Sequence, residues 1–330
     1  MIQTNGPVSV GGVPLACPVD KQRLELASGE LSCPNGHRYP MVAEVAVLLR
    51  HDVDDSHPYF DETRQAARGG VSESDSPPEA KSGGVDPFVQ QEIVKTNGIL
   101  YRNALGALGR YPIPKIPLPE GSQAHLLDVG CNWGRWSMAA SRRGYRAIGI
   151  DPSLAAVQAA YRVSREINAA ADFVVGDGRN LPFPDHSFDV VFSYSVLQHF
   201  SKDDARDSIR EAARVTRPGG TVLIQLANLF GVRQLYNQAR DLARHEQGQF
   251  RVRRWTPREM LSAFNELVGP SRLSADGFFS LNAQATDMDL MSTFPKMVVR
   301  SSETLKALAA RFHPLSLLAD SVFIEATRAG

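Results

Sequence analysis

The stretch Leu126-Leu127-Asp128-Val129-Gly130-Cys131-Asn132-Trp133-Gly134-Arg135-Trp136-Ser137 constrains the fold more than any other part of the chain. A short apolar run ends in an acid, then comes a glycine-bearing turn, then a helix start. This is the strand–turn–helix that opens a nucleotide-binding α/β unit. Gly130 and Gly134 let the backbone turn sharply and approach a ligand that a Cβ would hold away. About twenty residues later, as in that motif, Ala147-Ile148-Gly149-Ile150-Asp151 forms a second apolar run ending in a carboxylate. A carboxylate there can accept both hydroxyls of a ribose. The turn reads Asp-Val-Gly-Cys-Asn-Trp-Gly rather than Gly-x-Gly-x-x-Gly, and no second pyrophosphate-type turn follows. Both features argue against a dinucleotide oxidoreductase.

Downstream, apolar runs and helical patterns alternate. Strands are predicted over His125–Val129, Tyr145–Ile150, Asp172–Gly176, Phe188–Tyr194 and Thr221–Ala227. Helices are predicted over Arg135–Arg143, from a Ser153 cap to about Asn168, and over Asp203–Thr216, where Pro218-Gly219-Gly220 stops the last. This rhythm implies an α/β, doubly wound, mostly parallel sheet with helices on both faces. Beyond Asn228 a helix is expected over Leu229–Glu246. Another begins at Thr256-Pro257-Arg258-Glu259, with Thr256 as cap and Glu259 completing a capping box. Leu273–Leu281 and Ser321–Thr327 suit the last two strands, with residues 282–318 an insertion between them, helical around Glu303–Arg311.

Taken together, the turn, Asp151 and the later strand ends resemble the class I S-adenosylmethionine-dependent methyltransferases over roughly Leu126 to Asn228. The resemblance implies a seven-stranded, Rossmann-like sheet for the domain 121–330 and S-adenosyl-L-methionine as cofactor. A sulfonium donor carries no phosphates, so the loop need only clear its amino-acid end and be polar. On that resemblance Asp128 and Gly130 hold the amino-acid end, and the main chain of Cys131, Asn132 and Trp133 lines the turn. Asp151, followed by Pro152, takes the ribose. Gly176-Asp177-Gly178-Arg179 meets the adenine, with Asp177 accepting from the exocyclic amine. Ser193 faces the methionine moiety. His199, in Ser195-Val196-Leu197-Gln198-His199, is the candidate general base, since imidazole titrates near neutral pH. The competing readings are a helix-start acid for Asp151, a turn residue for Asp177, and packing or capping for His199. Cys131 is not expected to be a nucleophile, because methyl transfer needs no covalent step.

Before this domain the chain divides in three. Residues 1–50 carry Cys17-Pro18-Val19-Asp20 and Cys33-Pro34-Asn35-Gly36-His37 around a short alternating segment, then an apolar run from Val42 to Leu49. This resembles the small zinc-ribbon module found beside some methyltransferases or as their separate activator subunit, and the N-terminal module of bacterial rRNA guanine methyltransferases. Such modules bind tetrahedral zinc through four Cys or His. Here Asp20 stands where a second Cys would be, so two readings are open: a zinc site of Cys17, Asp20, Cys33 and His37, or a degenerate ribbon without metal. Residues 51–86 are expected to be a flexible linker, because Gly69 to Gly84 has almost nothing to bury. Residues 87–120 are expected to form a helical cap over the cofactor cleft. Pro87 is placed at the first helical position, and Tyr101 either meets the methionine end of the cofactor or packs.

Composition narrows the function classes. The 330-residue chain has a formal net charge of zero, which removes the simplest argument for a nucleic-acid partner. Its three separated cysteines make no disulfide framework and fit a reducing, cytoplasmic setting. No signal peptide and no membrane-spanning run are seen. The expected function is methyl transfer to a small-molecule or glycan acceptor, at oxygen. The runner-up is an RNA methyltransferase using the N-terminal module and the run Arg251-Val252-Arg253-Arg254-Trp255. A non-catalytic partner protein with this fold is the third reading. Oligomeric state is left open.

Overall fold

The computed structural model describes residues 2–3, 8–52, 59–69, 84–96, 108–233, 235–236, 253–279 and 282–330. At the N-terminus, β1 (Ile2–Gln3), β2 (Ser9–Val10) and β3 (Val13–Pro14) make a small antiparallel sheet. A second antiparallel meander follows: β4 (Glu25–Ala27), β5 (Glu30–Ser32), β6 (Arg38–Val42) and β7 (Val45–Leu48). Helix α1 (Tyr59–Gly69) stands inside the segment expected to be linker, and α2 (Pro87–Thr96) starts at the predicted proline.

The central domain alternates as the apolar runs dictate. Its elements are β8 (His125–Val129), α3 (Arg135–Arg142), β9 (Arg146–Asp151), α4 (Leu154–Glu166), β10 (Ala171–Gly176), β11 (Phe188–Tyr194), α5 (Lys202–Val215) and β12 (Thr216–Ala227). Next come α6 (Pro257–Leu267), β13 (Ser271–Gly277), α7 (Thr293–Arg311) and β14 (Ser321–Thr327). Side chains cap the helices where the sequence places them. Ser153 accepts from Ala156 N at 3.3 Å, and Thr256 and Glu259 form both bonds of a capping box.

The sheet runs β13-β14-β12-β11-β8-β9-β10-β7-β6-β5-β4. Its seven domain strands are parallel except β14, which is antiparallel to both β12 and β13. The order reverses at β8, so a crevice opens at the carboxyl ends of β8, β9 and β11.

The N-terminal meander is not a separate body. β7 pairs in parallel with β10, Val47 opposite Val175 and Leu48 opposite Gly176, and carries the sheet to eleven strands. Both faces of β7 are buried, which explains its uninterrupted apolar run. Val10, Leu15, Leu31, Tyr39 and Leu48 share one core with Leu127, Ile148, Val174 and Ile209 of the domain. Ala16 N bonds Pro182 O at 2.9 Å, and Lys21 bonds Glu211 on α5 at 3.0 Å.

The connection from β13 to β14 is the expected insertion, widened to residues 278–320 because β13 ends at Gly277. β12 begins at Thr216, ahead of the predicted Thr221. Helix α5 ends at Val215 and runs directly into this strand, so the Pro218-Gly219-Gly220 stretch expected to stop the helix lies inside the strand, where its register against β11 shifts between Phe188 and Val190. The predicted helix Leu229–Glu246 lies largely outside the described residues. No described helix is long and apolar enough to cross a membrane.

Candidate active site

The turn after β8 is shaped by three residues at positive φ: Gly130 (+76°), Asn132 (+48°) and Gly134 (+81°). Gly130 has no room for a side chain, since a Cβ there would sit 2.3 Å from Val196 Cγ2. Gly130 N and Cys131 N both donate to Ile150 O, at 2.8 and 3.0 Å, and tie the turn to the end of β9.

That tie brings Asp151 against the turn. Its carboxylate accepts from Asn132 N and from Ser153 N, each at 2.9 Å. Each oxygen keeps a lone pair for a further donor. Burial pushes the Asp151 carboxyl up to about 6, against the two backbone hydrogen bonds and with the charge of Glu92 adding to the rise. Glu92, buried on α2, accepts from Asn132 Nδ2 at 2.9 Å. Asn132 therefore joins two carboxylates, one at the end of β9 and one on α2. Tyr59 of α1 lies near both, and its hydroxyl is pushed up to about 12 by burial and their charges. Lys95 Nζ pairs with Glu92 Oε1 at 2.9 Å, so of the two carboxylates Asp151 is the one held by backbone amides.

Other predicted residues hold the cleft from behind. Asp128 is buried beneath the turn and accepts from Ser137 Oγ at 2.7 Å; burial pushes it up to about 7. It braces the start of α3. Ser193 is fully buried and donates to Val129 O at 2.8 Å, so it stitches β11 to β8. Cys131 is buried, and burial raises its thiol well above the usual range, which keeps it protonated. Trp133 is buried against Tyr111, with ring centroids 6.1 Å apart.

At the end of β10, Asp177 is bound by its neighbour. Arg179 donates to its carboxylate from Nε at 2.9 Å and Nη2 at 2.8 Å, and its Nη1 reaches Asp204 at 3.1 Å. The guanidinium lies between the rings of Phe60 and Phe200, 5.6 and 5.8 Å from their centroids. Gly178 packs on Val129, where a Cβ would come within 2.9 Å of Cγ1. Pro152 O accepts from Thr63 Oγ1 of α1 at 2.8 Å. Helix α1 thus lies across the ends of β9 and β10. Its anchors Phe60 and Thr63 escaped the sequence reading, because the polar stretch after Gly69 dominates that segment; so did Glu92.

On the other side of β8, His199 closes a 3-10 turn, Leu197–His199, and is half-buried. Its carbonyl accepts from Arg253 Nη1 at 2.7 Å. Trp255 of the arginine run is buried, and Arg251 lies outside the described residues, as does Tyr101. Nearby is a polar network with no signal in the linear sequence. Asp276 Oδ2 accepts from Tyr194 Oη at 2.8 Å, Gln225 Nε2 at 3.1 Å and Ser321 Oγ at 2.9 Å. Gln284 of the insertion donates to Tyr194 Oη at 3.0 Å. The insertion is also pinned by a buried ion pair, Arg135 Nη2 to Asp287 Oδ2 at 2.5 Å, and by Arg110 to Asp289 at 2.6 Å.

A second constellation lies in the N-terminal module. Cys17 Sγ, an Asp20 carboxylate oxygen, Cys33 Sγ and His37 Nδ1 all lie within 4.8 Å of one another. His37 Nδ1 is 3.5 Å from Cys17 Sγ and 3.3 Å from Cys33 Sγ. Ligands about 2.0–2.3 Å from a tetrahedral zinc are separated by roughly 3.3–3.8 Å, so the donor set fits that ion.

The central domain is similar to known methyltransferases. The methyltransferase domain family matches residues 127–224. Ubiquinone biosynthesis O-methyltransferase of Agrobacterium fabrum is 30% identical over 165 residues, covering 50% of this chain and 60% of that protein. Ajmaline N-methyltransferase of Rauvolfia serpentina is 29% identical over 109 residues, 32% of this chain and 37% of that one. The chain spans less than two thirds of the length of either. Among solved structures, a complex between the Haloferax volcanii Trm112 methyltransferase activator and a putative methyltransferase aligns at 19% identity with a TM-score of 0.46, covering 74% of this chain and 94% of that one.

Proposed function

We propose that this chain, whose central domain belongs to the class I S-adenosylmethionine-dependent methyltransferases, transfers a methyl group to a small-molecule or glycan acceptor at oxygen. The observation that carries the reading is Asp151, buried at the end of β9 and bonded to the Asn132 amide in a turn with no compensating cation on its described partners. When bound, the donor supplies a methyl already activated by a positive sulfur. The protein has only to bind, align and exclude water. Asp151 offers its remaining lone pairs to the ribose hydroxyls. The turn at 130–133, with Asn132 and Glu92, takes the amino-acid end. The Asp177-Gly178-Arg179 segment meets the adenine edge, and α1 and α2 cover the cleft. Asp128 and Ser193 act by bracing the strands beneath.

His199 is proposed to take the acceptor's proton. The zero net charge and the insertion pinned over the ends of β11–β14 favour a small acceptor over RNA. Zinc is proposed at Cys17, Asp20, Cys33 and His37, where it would cross-link the module that extends the sheet; it would take no part in transfer. The test is radiolabelled methyl transfer to panels of phenols, carboxylic acids and sugars, with bulk RNA as competitor. Labelled small-molecule product, insensitive to RNA and salt, supports the reading. Label in RNA alone, with steep salt dependence, sinks it. A His199→Ala enzyme with unchanged turnover removes the base assignment.

A further inference from the structure

The insertion that closes the acceptor side leaves its outer surface apolar. On α7, Phe294, Met297 and Leu308 are 72, 60 and 48% exposed, and Phe312, the residue that caps its C-terminus, is 65% exposed. At about 100° per residue these four fall within one sector of about 60°. Val299, Ser302 and Ala309 are buried on a neighbouring face, at about 60–140° from Phe294. The apolar surface runs on into the following 3-10 turn, His313–Leu318, where Leu317 and Leu318 are exposed. Asn228 Nδ2 bonds Leu317 O and Ala319 O, each at 2.8 Å, which sets exposed Phe230 and Val232 alongside. Single exposed apolar residues are ordinary, but a continuous set of this kind marks a contact surface.

The chemistry of the contact is written in the charges beside it. Lys296, Arg300 and Arg311 fall in the sector next to the apolar stripe, at about 200–260° if Phe294 is set to zero. The helix has one acid, Glu303, which pairs with Lys306 at 2.9 Å. A basic row on a chain of zero net charge is a local asymmetry. An apolar stripe bordered by Lys and Arg is the pattern of a helix lying in a membrane interface. A second copy of the chain fits less well, since a two-fold contact would set the same basic row near itself.

We infer that α7 and the turn after it dock on an anionic phospholipid bilayer. Phe294, Met297, Leu308 and Phe312 enter the boundary between headgroups and acyl chains, and Lys296, Arg300 and Arg311 lie at the phosphates. This inference is independent of the transferase reading. The surface adjoins Asp320 and Ser321 at the start of β14, the same edge of the sheet that carries the Tyr194–Asp276 network.

The experiment is co-sedimentation of the full chain with large vesicles of phosphatidylcholine, alone or mixed with phosphatidylglycerol. The protein is expected to pellet with anionic vesicles, weakly with neutral ones, and to be released by high salt. The triple change Lys296→Glu, Arg300→Glu, Arg311→Glu is expected to lower partitioning onto anionic vesicles at least on the order of 100-fold. The change Phe294→Ser, Met297→Ser, Phe312→Ser is expected to abolish binding to both, with the circular dichroism spectrum preserved. The inference is overturned if the wild-type chain stays in the supernatant with anionic vesicles at low salt. It is equally overturned if folded variants pellet like wild type, or if light scattering shows a dimer that the Phe294/Met297/Phe312 change dissociates.

Discussion

Replacing Gly130 by alanine tests how tightly the turn after β8 is built against the loop after β11. Two costs can be worked from the structure. Gly130 has φ +76°, and an L-residue held there costs about 1–2 kcal/mol relative to glycine. The new Cβ would also lie 2.3 Å from Val196 Cγ2 and 2.8 Å from Val196 Cγ1, well inside contact distance. Val196 cannot move off freely, because Ser195 before it is itself at φ +61° and donates to Gln225 Oε1 at 2.9 Å. Overpacking of this kind costs about 1–3 kcal/mol. The sum is about 2–5 kcal/mol, read as a lowered urea midpoint with unchanged slope. Donor binding followed by calorimetry should weaken along with it. The second change Val196→Ala removes the two clashing γ carbons and leaves the Cβ at 3.1 Å. In the Gly130→Ala background it should therefore recover the overlap part and leave the backbone part. A single variant within about 0.5 kcal/mol of wild type, or a double variant no better than the single, would mean that Val196 does not crowd this position.

Three further outcomes are expected. Asp287→Ala leaves the Arg135 guanidinium buried without its carboxylate and should cost about 3–5 kcal/mol in chemical denaturation, whereas Arg135→Met with Asp287→Leu should cost much less. Asp128 and Asp151 have carboxyls raised by burial to about 7 and about 6, so the folded chain holds protons that the unfolded chain releases. Their stabilisation is complete below the ordinary carboxylate range and is lost as pH rises through about 6–7, so apo stability should fall across that window, with a flatter slope in Asp128→Asn. Metal analysis of purified protein should return one zinc per chain, and Cys17→Ser or Cys33→Ser should lower both zinc content and melting temperature; stoichiometric absence of zinc ends that assignment.

The parts of this fold legible in the sequence are those coded locally. The runs at His125–Val129 and Ser321–Thr327 read as strands because their apolar residues are contiguous and bounded by turn residues. Ser153 and Thr256 announced their helices because a cap acts only three residues away. Asp151 was legible for the same reason: it ends a strand at a fixed distance from the turn. What could not be read depends on contacts distant in the chain. The run Val42–Leu49 was plain, but nothing in it says that β7 pairs with β10. Helix α1 rests on Phe60 and Thr63, two anchors that matter only once Arg179 and Pro152 are beside them. Asp276 finds Tyr194 across 82 residues and Arg135 finds Asp287 across 152. Asp177 was placed at the right strand end, while its hold on Arg179 two residues later follows from a side-chain orientation that spacing does not reveal.

Asp151 and the 130–133 turn are proposed to hold an adenosyl donor at the ends of β8, β9 and β10. A crystal structure grown with S-adenosylhomocysteine tests it most directly. Density is expected across those strand ends, with the ribose hydroxyls on the Asp151 carboxylate and the amino-acid end beside Asn132. Saturating ligand with no density there, or density for a nicotinamide dinucleotide in the same crevice, would contradict it.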